Sequence, residues 1–119
     1  MNAELCKTFR FEAAHRLPMV PPEHKCSRLH GHGYAIDLVI AGPVDEHSGW
    51  VVDFAELREA WLPVFDALDH RYLNEIEGLE NPTSENLARW IFERVNARLP
   101  LLREVVVHET TSSWARYRP

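Results

Sequence analysis

The sequence has few cysteines, no long hydrophobic run and no excess of positive charge, and each of these absences excludes a class of protein. Two cysteines, Cys6 and Cys26, are too few for a disulfide framework. No stretch approaches bilayer-spanning length and the first residues show no apolar signal region, so the cytosol is the expected compartment. A formal net charge of -5 predicts no general attraction to nucleic acid or to an anionic membrane.

The length and composition predict one folded domain. A chain of 119 residues can build one hydrophobic core and has no room for a second, so residues 1–119 are expected to form a single domain. A hydrophobic fraction of 45% with 26% charged residues is ordinary for a globular protein. Because the chain is acidic overall, an anionic substrate would have to meet a local basic patch, for which Arg16, Lys25 and Arg28 are candidates.

Four segments have the alternating or β-branched pattern of strands. Alternation of apolar and polar residues predicts strands over residues 4–15 and 32–40. The valine-rich segment 104–109 predicts a third strand. Residues 110–113 form a polar turn that leads to a fourth strand beginning at Trp114.

Two helices are predicted between the second and third strands. Asp53 is expected to cap the first helix, with Glu56 completing a capping box, and Pro63 predicts a kink or a restart within it. Thr83 or Ser84 is expected to cap the second. The order strand, strand, helix, helix, strand, strand favours an α+β fold, with an antiparallel sheet and both helices on one face. The other sheet face and the outer strands then need cover, which favours an oligomer.

Three histidines give the sequence its most informative pattern. His30 and His32 lie two residues apart, so in a strand their rings project from the same face. If the segment that ends at His15 pairs beside them, three imidazoles converge. Three neutral nitrogens leave one tetrahedral position of a zinc ion free, as in catalytic zinc sites. The alternative is that His15 is a packing or surface histidine and that the His-Gly-His pair occurs by chance.

Cys26 lies in a cationic loop four residues before His30. Its neighbours in the segment His24-Lys25-Cys26-Ser27-Arg28 supply positive charge, which favours a reactive thiolate. An inert cysteine is the alternative, and it is the preferred interpretation for Cys6.

Two acidic positions are weaker candidates. Asp69 is followed by His70, and a carboxylate can orient an imidazole as a base, provided that the preceding helix has ended; a solvated helix terminus is the simpler alternative. Glu109 continues the apolar face of Val105 and Val107. An inward carboxylate must be paired or used, so it either forms a salt bridge to an arginine or recognises a guanidine-like ligand edge.

Six motifs occur in an order that resembles the 6-pyruvoyltetrahydropterin synthase family, and most closely its bacterial 6-carboxytetrahydropterin synthase branch. They are Phe11-Glu12-Ala13-Ala14-His15-Arg16-Leu17, Cys26-Ser27-Arg28-Leu29-His30-Gly31-His32, Val52-Asp53-Phe54, Leu68-Asp69-His70, Asn81-Pro82-Thr83-Ser84-Glu85-Asn86 and His108-Glu109-Thr110. The resemblance covers nearly the whole chain. It implies the tunnelling fold (T-fold), in which ββααββ subunits form trimeric barrels that stack as a homohexamer.

The resemblance also implies functions for individual residues. The zinc ligands would be His15, His30 and His32, and Cys26 would be the thiolate that abstracts a proton. Asp69 and His70 would be its relay partners, usually contributed by a neighbouring subunit. Glu109 would anchor the amino-pyrimidine edge of a pterin through two parallel hydrogen bonds. The hairpin Thr111-Ser112-Ser113-Trp114 is bulkier than the family pattern and affects the expected pocket shape.

The activity that the resemblance implies is that of a zinc-dependent lyase in queuosine (7-deazaguanine) biosynthesis. Its substrate would be 7,8-dihydroneopterin triphosphate, and its products 6-carboxytetrahydropterin, acetaldehyde and triphosphate. The nearest alternative is a 6-pyruvoyl synthase, although the short spacer between Cys26 and His30 favours the carboxy branch. An alternative of another class is a non-catalytic pterin- or zinc-binding protein.

Overall fold

Two long strands, two helices and two shorter strands follow one another along the chain. The computed structural model describes residues 1–119, with strands β1 (Asn2–His15), β2 (His30–Pro43), β3 (Leu102–His108) and β4 (Trp114–Tyr117). The helices α1 (Phe54–Leu68) and α2 (Ser84–Asn96) lie between β2 and β3. The predicted ββααββ order and the α+β class are therefore confirmed.

The four strands form one antiparallel sheet in the order β1-β2-β3-β4. Alternate residues of each strand face the helices, and these residues form a continuous core with the apolar faces of α1 and α2. The strand members of that core include Phe11, Tyr34, Ile36, Leu38, Val105 and Val107. The opposite face of the sheet carries no helix and stays uncovered in the single chain. No helix is both long and apolar enough to cross a membrane.

The helix starts follow their sequence signals, with one difference at α1. The Asp53 side chain caps α1 by accepting from the Ala55 N–H at 3.0 Å, whereas the predicted capping box requires a bond to the Glu56 N–H. Thr83 caps α2 by accepting from the Asn86 N–H at 3.1 Å, which leaves Ser84 as the first helical residue.

Pro63 was expected to cause a kink or a restart of the first helix, and the restart was wrong. Helix α1 runs without interruption from Phe54 to Leu68. Pro63 lies on the exposed face of the helix, between the buried Trp61 and Val64. Proline has no N–H to donate to the carbonyl group four residues earlier, and on this exposed face water can bond to that carbonyl instead. Packing of the buried face keeps the helix continuous.

Candidate active site

Antiparallel pairing of β1 with β2 brings the three predicted histidines together. His15, at the end of β1, lies opposite His30, at the start of β2, and Ala13 lies opposite His32. All three rings project from the helix-facing side, where His15 is 2% exposed. One potential ligand atom from each histidine lies within 4.8 Å of those of the other two, an arrangement that could hold a metal ion.

Each histidine is oriented by a backbone carbonyl. The Nδ1 atoms of His15, His30 and His32 lie 3.1, 2.8 and 3.1 Å from the carbonyl oxygens of Pro82, Arg28 and Gly33, respectively. A carbonyl oxygen only accepts, so each Nδ1 donates its proton and each Nε2 keeps a free lone pair. Carbonyl partners of this kind fix the tautomer and ring orientation of histidines that bind metals through Nε2.

The arrangement of the Nε2 atoms fits a metal ion. The Nε2 atoms of His15 and His32 lie 3.2 Å apart, and with both Nδ1 atoms protonated neither Nε2 has a proton to share. Nitrogens that bind a tetrahedral zinc ion at about 2.0–2.1 Å lie roughly 3.3 Å from each other. Burial lowers the pKa of His15, which keeps its ring in the neutral form that a metal requires. The donor set therefore suits zinc, with one coordination position open.

A cavity of about 430 Å³ borders two of these histidines. It is lined by Lys25, Cys26, His30, His32, Glu109 and Thr110. The predicted thiol, the histidine cluster and the predicted carboxylate thus share one cavity, within the size range of small-molecule sites. Thr110, which the sequence did not single out, comes from the turn before β4 and reflects the contribution of the terminal hairpin to the pocket.

The loop that carries Cys26 is held by backbone bonds on both sides. Residues 25–27 form a short 3-10 turn, and the Cys26 N–H donates to the Nδ1 atom of His24 at 3.1 Å. The Cys26 carbonyl accepts from the Leu17 N–H at 2.7 Å. Cys26 is partly buried, so its thiol is both positioned and accessible.

Glu109 lies one residue beyond β3 and is partly buried. Its Oε1 atom accepts a short hydrogen bond from the hydroxyl of Ser84, the first residue of α2. No arginine of the chain pairs with Glu109, so the structure does not contain the salt bridge that was the alternative role for this residue. The Oε2 atom and the second lone pair of Oε1 stay available to a ligand that offers two donors.

Asp69 and His70 contact each other but do not line this cavity. Helix α1 ends at Leu68, and His70 has a left-handed φ of 57°, which turns its Nδ1 atom to 2.8 Å from an Asp69 oxygen. The other Asp69 oxygen accepts from the Glu12 N–H at 3.0 Å. This bond, and then the bond from His70, lowers the pKa of Asp69, while the carboxylate raises the pKa of His70. The His70 side chain is 75% exposed, so it can reach a second molecule.

Several polar partners were missed by the sequence reasoning. Buried Tyr34 places its hydroxyl 3.2 Å from the Nδ1 atom of His15, and burial raises its pKa, which keeps the hydroxyl protonated. On the uncovered sheet face, Asp37 accepts from the hydroxyl of Thr8 at 2.6 Å and from the Nε2 atom of His108 at 2.8 Å. These pairs follow from the register of β2 against β1 and β3. The sequence does not reveal that register, so it gave no signal for them.

The protein-family model for 6-pyruvoyl tetrahydropterin synthase matches residues 4–119, nearly the whole chain. The chain belongs to the 6-pyruvoyl tetrahydropterin synthase family. A relative in Synechocystis named 6-carboxy-5,6,7,8-tetrahydropterin synthase is 45% identical over 117 residues, covering 93% of this chain and 89% of its own. Another, named dihydroneopterin monophosphate aldolase in Pyrococcus furiosus, is 37% identical over 100 residues, covering 84% and 81%.

A solved structure of a family member has the same fold. The 6-pyruvoyl tetrahydropterin synthase of Caenorhabditis elegans superposes with a TM-score of 0.92 at 30% sequence identity, covering 100% of this chain and 96% of its own. The T-fold topology that the motifs implied is thereby confirmed for the subunit.

Proposed function

We propose that this family member is a zinc-dependent 6-carboxytetrahydropterin synthase of queuosine biosynthesis. With one water as co-substrate, it would convert 7,8-dihydroneopterin triphosphate into 6-carboxytetrahydropterin, acetaldehyde and triphosphate. The observation that carries the proposal is the shared cavity, which joins the histidine cluster to the thiol of Cys26 and the carboxylate of Glu109. The 45% identity to a relative of that name supports the choice within the family.

His15, His30 and His32 would hold the zinc ion through Nε2, since their Nδ1 atoms are bonded to carbonyls. Bound zinc supplies Lewis-acid stabilisation of charge that develops on side-chain oxygens of the substrate. Three protein ligands leave a position open to substrate, whereas a structural zinc site is closed by a fourth. This difference favours an enzyme over a purely structural zinc protein.

Cys26 and Glu109 would divide chemistry and recognition between them. As a thiolate, Cys26 would remove a proton from a side-chain carbon of the pterin, and return of the proton to the neighbouring carbon prepares triphosphate elimination. Glu109 would accept hydrogen bonds from the ring nitrogen and the exocyclic amine of the pyrimidine edge. With that edge fixed, the side-chain carbons lie near the thiol. Water can then cleave the bond between the first two side-chain carbons, which leaves a carboxyl group on the pterin and releases the two-carbon fragment as acetaldehyde.

Asp69 and His70 would serve as the proton relay of a neighbouring subunit. Asp69 and His70 do not line the cavity of their own chain. The hydrogen bond between them already orients the His70 ring, and the His70 side chain is exposed to a neighbouring molecule. The uncovered sheet face and the outer strands β1 and β4 leave surface for such neighbours. We propose a homohexamer of two stacked trimeric barrels, in which each site is completed by residues of another copy.

The rival activities differ in what happens to the substrate side chain. A 6-pyruvoyl synthase keeps all three side-chain carbons, and the short spacer between Cys26 and His30 argues against it. An aldolase of the kind that the Pyrococcus relative's name describes would leave a one-carbon hydroxymethyl group. A non-catalytic pterin-binding protein would leave the substrate unchanged.

Product analysis separates these possibilities. The zinc-loaded protein is incubated with 7,8-dihydroneopterin triphosphate, and acetaldehyde, triphosphate and the pterin product are identified by mass. Equal amounts of acetaldehyde and 6-carboxytetrahydropterin are expected. Cys26→Ala should abolish their formation, while Cys6→Ala, which alters the other and more exposed cysteine, should not. A pyruvoyl or hydroxymethyl pterin, or unchanged substrate, would contradict the proposal.

A further inference from the structure

The proposed substrate carries a charge that the identified site residues leave unmatched. Glu109 matches the pyrimidine edge, and a zinc ion on the histidine cluster would be engaged by the side-chain oxygens, so neither is assigned to the triphosphate. The protein has a net charge of -5, so its overall field does not attract that group either. A cation of the chain near the cavity would match the triphosphate, and Arg16, Lys25 and Arg28 are the candidates that lie near the histidines in sequence.

The cavity contains only one of these three cations. Lys25 lines it together with Cys26 and Glu109, whereas Arg16 and Arg28 do not. The histidines that also line it cannot serve as cations, since they would be neutral as zinc ligands. Lys25 is thus the one fixed positive charge among the lining side chains.

The Lys25 ammonium is also free to bind a ligand. It forms no ion pair with any carboxylate of the chain, whereas Arg89, Arg116 and Arg118 are each paired with a glutamate. Because Lys25 has no ion-pair partner, a phosphate does not have to displace one. Because the residue is exposed, a phosphate can also reach it from solvent. An ammonium suits this purpose, because three donors on a flexible stem can follow phosphate oxygens as point-charge contacts.

The loop backbone keeps Lys25 beside the proposed thiolate. Lys25 begins the 3-10 turn that contains Cys26, and its carbonyl accepts from the Arg28 N–H at 3.2 Å. The Cα atoms of consecutive residues lie about 3.8 Å apart, and both residues line the cavity. A triphosphate near Lys25 would leave from a carbon close to Cys26.

We infer that Lys25 is the residue that binds the triphosphate of the substrate and selects phosphorylated over unphosphorylated pterins. The inference rests on the proposed function and deepens it. Lys25 would contact substrate directly, so its loss should weaken binding of the triphosphate and leave binding of the pterin ring unchanged.

Binding of two probes to zinc-loaded protein tests the inference. Dihydroneopterin triphosphate and dihydroneopterin are titrated against Cys26→Ala protein, in which no substrate is consumed, with and without Lys25→Met. Lys25→Met is expected to weaken triphosphate binding about tenfold, as for loss of one charge-assisted contact, and to change dihydroneopterin binding less than twofold. Binding is measured instead of turnover because Lys25 is adjacent to the proposed catalytic thiol, so a change in rate would not separate binding from chemistry.

Two variants serve as controls. Lys25→Arg keeps the charge and should retain most of the triphosphate affinity. Lys7→Met removes one positive charge from β1, where Lys7 lies over the Phe9 ring and outside the cavity, so it controls for net charge. The difference in triphosphate affinity between the Lys25→Met variant and its parent should shrink as the salt concentration rises, because ions screen an exposed ammonium from phosphate.

Equal weakening of both probes by Lys25→Met, or weakening of neither, would overturn the inference while leaving the proposed function intact. An equal effect of Lys7→Met would also overturn it, since it would show a general charge effect. If the parent protein binds neither probe, the proposed function itself fails, and the inference fails with it.

Discussion

The substitution Glu109→Gln removes the charge that is proposed to hold the pterin and keeps the shape of the side chain. In the structure the Oε1 atom of Glu109 accepts from Ser84, which leaves three lone pairs for a ligand. Glutamine replaces one oxygen by an NH₂ donor, and the Ser84 hydroxyl can accept from it. The amide is therefore expected to turn its nitrogen towards Ser84 and its oxygen towards the ligand.

One of the two pterin donors then loses its acceptor, and the other keeps only a neutral one. Hydrogen bonds to charged groups contribute about 1.5–3 kcal/mol each in mutational series. Because Glu109 is only partly buried, the lower half of that range applies, which corresponds to an increase of about 10- to 40-fold in the dissociation constant. Ser84→Ala removes only an orienting bond between side chains, so it should weaken pterin binding by a smaller factor.

Equilibrium titration of zinc-loaded protein with dihydroneopterin measures this change, with zinc content determined on the same samples. Glu93→Gln is the matched control, since it makes the same change of charge on the exposed face of α2, where Glu93 lies 3.7 Å from Arg89. It should leave affinity unchanged. Unchanged affinity in Glu109→Gln would refute the recognition argument and leave Glu109 as a structural partner of Ser84.

Three further predictions concern the thiol, the relay and the fold. Cys26→Ala should keep zinc and pterin binding, so loss of zinc on elemental analysis would make the cysteine a fourth ligand instead. Because Asp69 stabilises the protonated ring, His70 should titrate by NMR above the usual 6.5 or so, and Asp69→Asn should lower that pKa; a midpoint that does not move would rule out the pair. While Asp69 is ionised, the stability from this bond is fully present below the unfolded pKa of His70 and is lost as pH rises through its raised folded pKa. Gly49→Ala should cost about 1–2 kcal/mol for its φ of 80°. Gly78→Ala, with φ of 90° and an indole atom 3.1 Å from the new Cβ, should cost more in urea unfolding, and equal costs would remove the packing argument.

The strands and the histidine cluster could be predicted because their signals are local. Alternation along β1 and β2 shows which residues face the helices, and a two-residue spacing places His30 and His32 on one side. Only one long-range assumption was needed, that the segment ending at His15 pairs beside them. The antiparallel register puts His15 directly opposite His30.

The partners that orient the site could not be predicted in the same way. Every residue has a carbonyl group, so nothing in the sequence distinguishes those of Pro82 and Gly33 that hold the histidines. Three cations lay near the histidines in sequence, and the loop conformation decides that only Lys25 reaches the cavity. At Pro63 the local rule predicted an interruption, but burial of the neighbouring helix face outweighed it.

The central claim is that three histidines form one open zinc centre on which the lyase activity depends. Metal-free protein is titrated with zinc while the rate of acetaldehyde release from 7,8-dihydroneopterin triphosphate is measured. The rate should rise linearly to one zinc per chain and then stay constant, because the structure contains one cluster of three ligands. His30→Ala should show neither the rise nor the bound zinc while keeping its fold. Full activity without metal, or undiminished zinc in His30→Ala, would contradict the claim.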